Sequence, residues 1–212
     1  MLKKEEIEKI FLEIKDEEVK SDLPAMGRIC LETEVRGAKK SDLPAMTDIA
    51  RRVFTKYDAK IAEMQMSNYF RNPKRYDVWE TADIVKNRVL ISQRLYAADR
   101  RRKLLGFSGI ERPNTEGDSE GTFWVSWMAV DPYYQRRGIG TKMLKEIIRE
   151  VKEVQGTSLN VKTDSSLKSA SNLYEKLGFR MVGKIPKYFE RKKDLIIYSL
   201  DLETVNLEAL KI

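Results

Sequence analysis

The order of periodic segments predicts an α/β fold for this chain, of the α+β kind. Three observations carry that expectation. After an N-terminal helical stretch the segments run β–α–α–β–β–β–α–β–α–β–β. Three strand-like runs follow one another between residues 88 and 130 with no helix between them. Beyond residue 130 helical and extended patterns alternate, with glycines at the junctions.

Residues 3–18 read as a helix, with Ile7, Ile10, Phe11 and Ile14 at helical spacing. The heptapeptide KSDLPAM then occurs twice, at 20–26 and 40–46, each copy preceded by an apolar–basic pair, Ile14-Lys15 and Val35-Arg36. Ser-Asp before Leu-Pro reads as a helix start, since proline is tolerated in the first turn. The pattern is a short duplication of a strand–turn–helix opening. The second copy continues into TDIARRVFTKYDAKIAEM, a better helix than GRICLE, and is expected to be the working one. FRNPKRYD (70–77) is a break. RVLISQRLYA (88–97) reads as a strand, with a helix as the alternative, and LLGFSGI (104–110) and TFWVSWMAV (122–130) read as strands; the turn DRRRK and the loop ERPNTEGDSEG separate the three. A helix is expected over 140–154, with Gly156 as its stop, then a short strand LNV (159–161). The helix SLKSASNLYEKLG is stopped by Gly178, and FRMVGKI and DLIIYSLDL close the chain as strands. This divides the chain into an extension, 1–30, and a domain, 31–212.

Composition narrows the chemistry. Of 212 residues, 42% are hydrophobic and 34% charged, the profile of a chain with a packed core. No apolar run reaches the ~18 residues of a membrane span, and the N-terminus lacks the continuous apolar stretch of a secretory signal. The single cysteine, Cys30, has no internal disulfide partner, and a cytoplasmic location is expected. The absence of histidine excludes Ser-His, Cys-His and His-metal chemistry, and no metal is expected. Net charge is +7. Residues 1–30 hold 6 Lys and Arg against 8 Asp and Glu, and the remainder 34 against 25. A basic body fits a polyanionic ligand, nucleic acid or a solvated surface.

The stretch DPYYQRRGIGT (131–141) joins a predicted strand to a predicted helix. Gly138 and Gly140 allow close backbone approach. The first N–H groups of the helix have no internal partners, and its dipole makes that end slightly positive. With Arg136 and Arg137 added, a pyrophosphate is the natural guest. No G-x-x-x-x-G-K-[ST] or G-x-G-x-x-G pattern is present, and a lone G-x-G is also found at ordinary helix starts.

The wider pattern is more specific. MAVDPYYQRRGIGTKML, then LNV, then NLYEKLGF, together with the opening VRGAKKSDLPAMTDIA, resembles the GNAT superfamily of acetyl-CoA-dependent N-acetyltransferases between about Val35 and Leu200. The resemblance implies a mixed, mostly antiparallel central sheet, splayed between two strands and flanked by helices. It implies acetyl-CoA as co-substrate. The backbone of Met128, Ala129 and Val130 would lie along the pantetheine arm, with Met128 and Val130 pairing with it. Gln135, Arg136, Arg137, Gly138, Ile139, Gly140 and Thr141 would hold the pyrophosphate.

Acetyl transfer needs a neutral amine, donors for the oxyanion and a proton for the leaving thiolate. A lysine ammonium has a pKa near 10.4 and an α-amine only about 7.7–8.0. By the resemblance, Tyr174 protonates the thiolate; its other reading is packing beneath the sheet. The tail KYFERKKDLIIYSL is similar to that of N-terminal-alanine ribosomal-protein acetyltransferases and related peptide acetyltransferases. Those enzymes often carry a glutamate where this chain has Asn160, which cannot accept a proton but could orient a water. Glu111 and Glu120, flanking the loop before the central strand, are the alternative bases. Leu167 stands where many members have a cofactor-facing asparagine, and Ser165 or Ser166 is the substitute. Tyr188 and Phe189 match an acceptor-side aromatic pair, or are strand packing. Trp124 and Trp127 should sit on opposite faces of their strand, one core and the other, Trp127, toward the acceptor. RKK (191–193) attracts an acidic acceptor or is a hairpin tip, and Cys30 packs as a small apolar residue.

The function expected is transfer of acetyl to a peptide or protein amine, most simply an α-amine. The alternatives are acetylation of a small amine such as a polyamine or amino acid, and a non-catalytic acetyl-CoA-binding module. No membrane partner is expected. Nucleic acid rests on charge alone, with no base-stacking motif. A homodimer is a candidate assembly, and residues 1–30 could cover the acceptor cleft, dimerise or form an inert helix.

Overall fold

The computed structural model describes residues 32–71, 93–101, 103–112, 121–189 and 193–208. The helix expected over 3–18, the first KSDLPAM, Cys30, Glu120 and most of the 111–121 loop lie outside them, as do 191–192.

Eleven principal elements follow in the predicted order: β1 (Glu34–Gly37), α1 (Leu43–Val53), α2 (Lys56–Arg71), β2 (Gln93–Arg100), β3 (Lys103–Glu111), β4 (Thr122–Val130), α3 (Ile139–Glu153), β5 (Ser158–Asp164), α4 (Lys168–Lys176), β6 (Arg180–Phe189) and β7 (Lys193–Asp201). The strands form one seven-stranded sheet in the order β1-β2-β3-β4-β5-β7-β6. Every neighbouring pair is antiparallel except β4 and β5, which run parallel.

The second KSDLPAM opens a helix, as expected. A 3-10 turn over Lys40–Asp42 leads into α1, with Pro44 in its first turn. The Asp42 carboxylate accepts from the Lys39 N–H at 2.7 Å and from both terminal nitrogens of Arg36, at 2.7 and 3.1 Å; Arg36 also reaches Asp99 at 2.9 Å. One guanidinium thus ties β1 to α1 and to β2. The run TDIARRVFTKYDAKIAEM supplies both helices of the predicted α–α pair. Phe54 leaves α1 in an extended conformation, and the Thr55 hydroxyl accepts the Asp58 N–H at 3.2 Å to start α2. The pattern Thr55-x-x-Asp58 resembles a capping box.

Helices cover both faces. On one, α3 and α4 bury Leu144, Ile147, Ile148, Val151, Tyr174 and Leu177 against Phe123, Val125, Leu159, Val161 and Tyr198. On the other, α1 and α2 bury Met46, Ile49, Ala62 and Met66 against Leu95, Phe107 and Ala129. Burial of such side chains is worth about 1.5–3 kcal/mol each, which explains why period-2 and period-3.6 patterns placed these elements well. The LYEKLG stop is a left-handed Gly178 at φ 91°, with the Gly178 N–H bonded to Glu175 and the Phe179 N–H to Tyr174. At the end of α3 it is Gln155 that is left-handed, at φ 61°. Gly156 follows because a Cβ there would lie 2.4 Å from the Val151 side chain.

Candidate functional site

The site forms where β4 leaves β5. The two strands pair from Thr122↔Ser158 to Val125↔Val161 and no further, although β4 continues to Val130 and β5 to Asp164. On its other edge β4 stays paired with β3 to Gly106↔Val130. Between Ile110↔Val125 and Ser108↔Met128 one residue of β3, Gly109, opposes two of β4, Ser126 and Trp127. This is a β-bulge, which bends a strand and re-aims its side chains. The splay begins here. The hydroxyls of Ser108 and Ser126 are buried at this point, with no hydrogen-bond partner among the described residues.

The bulge corrects one expectation. Trp124 and Trp127 do not lie on opposite faces. Trp124 pairs with Glu111, which shares the parity of Phe107 on β3, and Phe107 belongs to the α1–α2 core. Trp127 packs on that same core, its ring 5.2 Å from Phe54 and its indole N–H donated to Gln65. The extra residue shifts the alternation by one, so both indoles face α1 and α2.

Backbone directions follow from a single bond. The Asp131 N–H donates to Leu105 on β3 at 2.9 Å. Polar groups alternate sides along a strand, so those of Ala129 also face β3 and those of Met128 and Val130 face the open side. Ala129 is therefore removed from the ligand-facing set: its side chain is buried and its backbone pairs with Phe107. The Val130 carbonyl accepts from the Gln135 side-chain amide at 3.0 Å, so Gln135 braces the loop.

The phosphate loop follows. Asp131 accepts the Tyr133 N–H at 3.0 Å and the Arg52 guanidinium at 2.9 Å, tying α1 to the start of the loop. Arg136 and Gly138 both have positive φ, 61° and 80°. The first bond inside α3 runs from the Lys142 N–H to the Gly138 carbonyl, so the N–H groups of Ile139, Gly140 and Thr141 lie in the turn where a helix has no internal acceptors. The Ile139 side chain is buried, and only its backbone can serve a ligand. At Gly140 a Cβ would stand 3.1 Å from Met128 Cε and 3.4 Å from Leu173 Cδ2. Glycine lets the start of α3 close onto β4 and α4. Open N–H groups at a helix N-terminus, at the end of an unpaired strand edge, fit a phosphorylated ligand extended along β4.

Lys103 and Arg137 flank one ring. The Lys103 ammonium donates to the Tyr134 hydroxyl at 2.8 Å, and the Arg137 guanidinium lies 5.7 Å from that ring's centre. They line a cavity of about 790 Å³ with Arg52 and Tyr133. Sequence reasoning missed Arg52, Lys103, Asp131 and Tyr134. The available signal was Asp131-Pro132, an Asx-type cap before proline.

Tyr174 packs on the α3–α4 face, 6% exposed, its ring 5.8 Å from Phe179 and 5.6 Å from Tyr198. Burial, with a smaller contribution from Tyr198, pushes its pKa up to about 12. Tyr198 is the register partner of Val161, in the last row before the splay. One row below, on the opposite face, Glu111, Trp124, Asn160 and Ser199 are successive cross-strand partners. Asn160 is buried and donates to the Phe123 carbonyl at 3.4 Å, a long and weak bond. Glu111 is half-buried; burial raises its pKa, and the nearby Lys162 ammonium partly offsets that rise. Lys162 lies 5.0 Å over the Trp124 ring.

The remaining candidates are placed apart from this row. Ser166 is turned to Asp164, its N–H donating to the carboxylate at 2.7 Å. Burial acts to raise the Asp164 pKa, and hydrogen bonds from Lys193 and Ser166 outweigh it, lowering it. The Ser165 hydroxyl accepts the Asp194 N–H, and Leu167 is exposed. Tyr188 is 59% exposed, edge-on to Phe189 on the β6–β7 hairpin. Among the described residues no helix is long and apolar enough to cross a membrane.

Residues 92–181 match the family model described as an acetyltransferase (GNAT) domain. Over 86 residues the chain is 35% identical to N-alpha-acetyltransferase RimI of Mycobacterium tuberculosis, covering 41% of this chain and 51% of that protein. Over 66 residues it is 35% identical to N-alpha-acetyltransferase 30 of Xenopus laevis, covering 31% of this chain and 24% of that one. The chain thus spans from about a quarter to about half of these relatives' lengths. In structure it is similar to the ribosomal-protein-S18-alanine N-acetyltransferase of Escherichia coli, with TM-score 0.61, 20% identity, and 82% and 96% of the two chains covered. It is also similar to yncA of Salmonella typhimurium, solved with its cofactor acetyl-CoA, with TM-score 0.62, 17% identity and the same coverage. At these identities the likeness is one of fold.

Proposed function

We propose, for a chain that carries a GNAT acetyltransferase domain, that it transfers acetyl from acetyl-CoA to the α-amine of a peptide or protein. One observation carries the reading: β4 and β5 part after Val125↔Val161, and beside that last paired row the Tyr174 ring packs on Tyr198 on one face of the sheet while Glu111 belongs to the adjoining row on the other. The loop at the N-terminus of α3 lies at the far end of the same gap. Two of the relatives named above are N-alpha-acetyltransferases, which supports an α-amine acceptor.

In this reading the N–H groups of Ile139, Gly140 and Thr141, with Arg136 and Arg137, hold the pyrophosphate. Thr141 presents its half-buried side chain beside them. The open-side backbone of Met128 and Val130 pairs with the pantetheine arm, so the thioester comes to rest near the last paired row. Acetyl-CoA supplies the acetyl thioester. The acceptor nitrogen bonds to the carbonyl carbon, the carbon–sulfur bond breaks, and the electron pair leaves on sulfur. The amine's proton goes to the Glu111 carboxylate, through water; the sulfur is met by the Tyr174 hydroxyl. Solvent protonates the released thiolate and removes the proton from Glu111. With its pKa near 12, Tyr174 stays protonated at every physiological pH. An ordinary thiol sits near 8.5, so the phenol acts by hydrogen-bonding sulfur as charge builds there. Asn160 orients the water. Trp127 and Tyr188 flank the acceptor, which enters from the α1–α2 side.

Substitution of Tyr174 by Phe tests the reading. Turnover of an N-terminal peptide should fall by about 10²-fold, with calorimetric affinity for acetyl-CoA within about twofold of the parent. Undiminished turnover would remove Tyr174 from the mechanism. Failure of the folded parent to bind acetyl-CoA would remove the enzyme reading.

A further inference from the structure

Lys162 continues β5 one step past the last residue paired with β4, at the mouth of the gap. Its parity is that of Asn160, so it lies on the acceptor face, and Ile197 is its partner on β7. The Trp124 ring, 5.0 Å from the ammonium, draws the side chain toward β4. Two other lysines near this end of β5 are neutralised: Lys193 pairs with Asp164 at 2.9 Å and Lys184 with Asp194 at 2.7 Å. Lys162 makes no ion pair among the described residues, and its charged neighbour across the face is Glu111.

From this placement we infer that Lys162 selects acceptors with an acidic side chain within their first two residues. The inference rests on the reading of the site as one for peptide α-amines. If the amine stands over the Glu111–Trp124–Asn160 row, Lys162 lies one β-step along from it. Adjacent strands are ~4.8 Å apart and side chains on one face recur every ~6.6 Å. A carboxylate on the first or second residue is within that reach, whereas a second ammonium would meet Lys162 head-on. A like-charge contact beside the acceptor discriminates through the partner it rejects as well as the one it attracts. This disfavours polyamines.

The test uses the full chain, acetyl-CoA and four peptides with one common tail, beginning Ala-Asp, Asp-Ala, Ala-Gln and Ala-Lys. The parent should show kcat/KM at least about tenfold higher for the better acidic peptide than for Ala-Lys, a difference of about 1.4 kcal/mol. Added salt should narrow that ratio. Lys162→Met should bring it to within about twofold, and Lys162→Glu should reverse it. A ratio near one in the parent, or one unchanged by both substitutions, overturns the inference while leaving the peptide-amine reading intact. Turnover of none of the four by a protein that binds acetyl-CoA overturns both. The ratio compares peptides on one enzyme preparation, so partial misfolding of a variant does not move it.

Discussion

Phe179 donates its backbone N–H to the Tyr174 carbonyl at 3.1 Å, and the two rings lie 5.8 Å apart. The turn that ends α4 therefore also seats the phenol. It depends on Gly178 at φ 91°. A Cβ there would meet only Leu200, at an ordinary 3.5 Å, so the cost of a side chain is backbone strain. Gly178→Ala should destabilise the protein by about 1–2 kcal/mol and lower its Tm by roughly 2–8 °C, as read by a reversible thermal melt. It should also lower kcat more than acetyl-CoA affinity, because the residue displaced is Tyr174.

Glu111 titrates above the ordinary carboxylate value of 4.5, because burial disfavours its charge. A base acts deprotonated, so kcat/KM should rise with pH through a limb lying above 4.5, and Glu111→Gln should remove that limb and slow turnover by about 10²-fold. The stability effect has the opposite sign. A carboxyl whose pKa is higher folded than unfolded loses stability for the fold as pH rises from 4.5 through the folded value. Glu111→Gln should accordingly gain stability relative to the parent between pH 4 and pH 7, as measured by urea unfolding at each pH.

Gly140 sits under Met128 and Leu173 at the start of α3. The nearest atom to an added Cβ is the flexible end of a methionine, so Gly140→Ala should weaken acetyl-CoA binding only about threefold. Gly140→Val, with two further methyls at the same spot, should weaken it by about tenfold or more. Titration calorimetry distinguishes the two. Equal, undiminished affinities would mean that the ligand does not approach this turn.

Arg36 joins Asp42 and Asp99 with both carboxylates largely shielded from water. The hydrogen bond from Arg36 is the leading cause of a lowered Asp42 pKa, against the rise that burial alone would bring. Stability from this contact is present above the unfolded value of 3.8 and lost as pH falls through the lower folded value. Arg36→Met should cost about 2 kcal/mol at neutral pH, a difference that shrinks at acid pH when urea midpoints are compared.

The local features of this protein were legible in its residues. Tyr174, Gly178 and the QRRGIG turn carry their meaning within one element: a phenol on a helix, a left-handed stop, open N–H groups at a helix start. Period alone also placed β3, β4, α3 and β7 to within a residue or two, because each buries one face against a core. The break between α1 and α2 is marked in sequence by Thr55-x-x-Asp58, where the Thr55 hydroxyl accepts the Asp58 N–H.

What the sequence by itself determined is therefore the order of elements, the helix-start loop and the presence of Tyr174 on α4. The tertiary structure decided which residues meet. The bulge at Ser126–Trp127 is visible only against β3, and it moves Trp127 onto the face of Trp124. The row Glu111–Trp124–Asn160 spans three strands whose alignment comes from pairing, and the bond from Arg52 to Asp131 joins residues 79 positions apart. The reason is physical. Side-chain direction along one strand has a period of two and can be read locally, but the register between strands is set by hydrogen bonds to distant segments, and one inserted residue reverses every face beyond it.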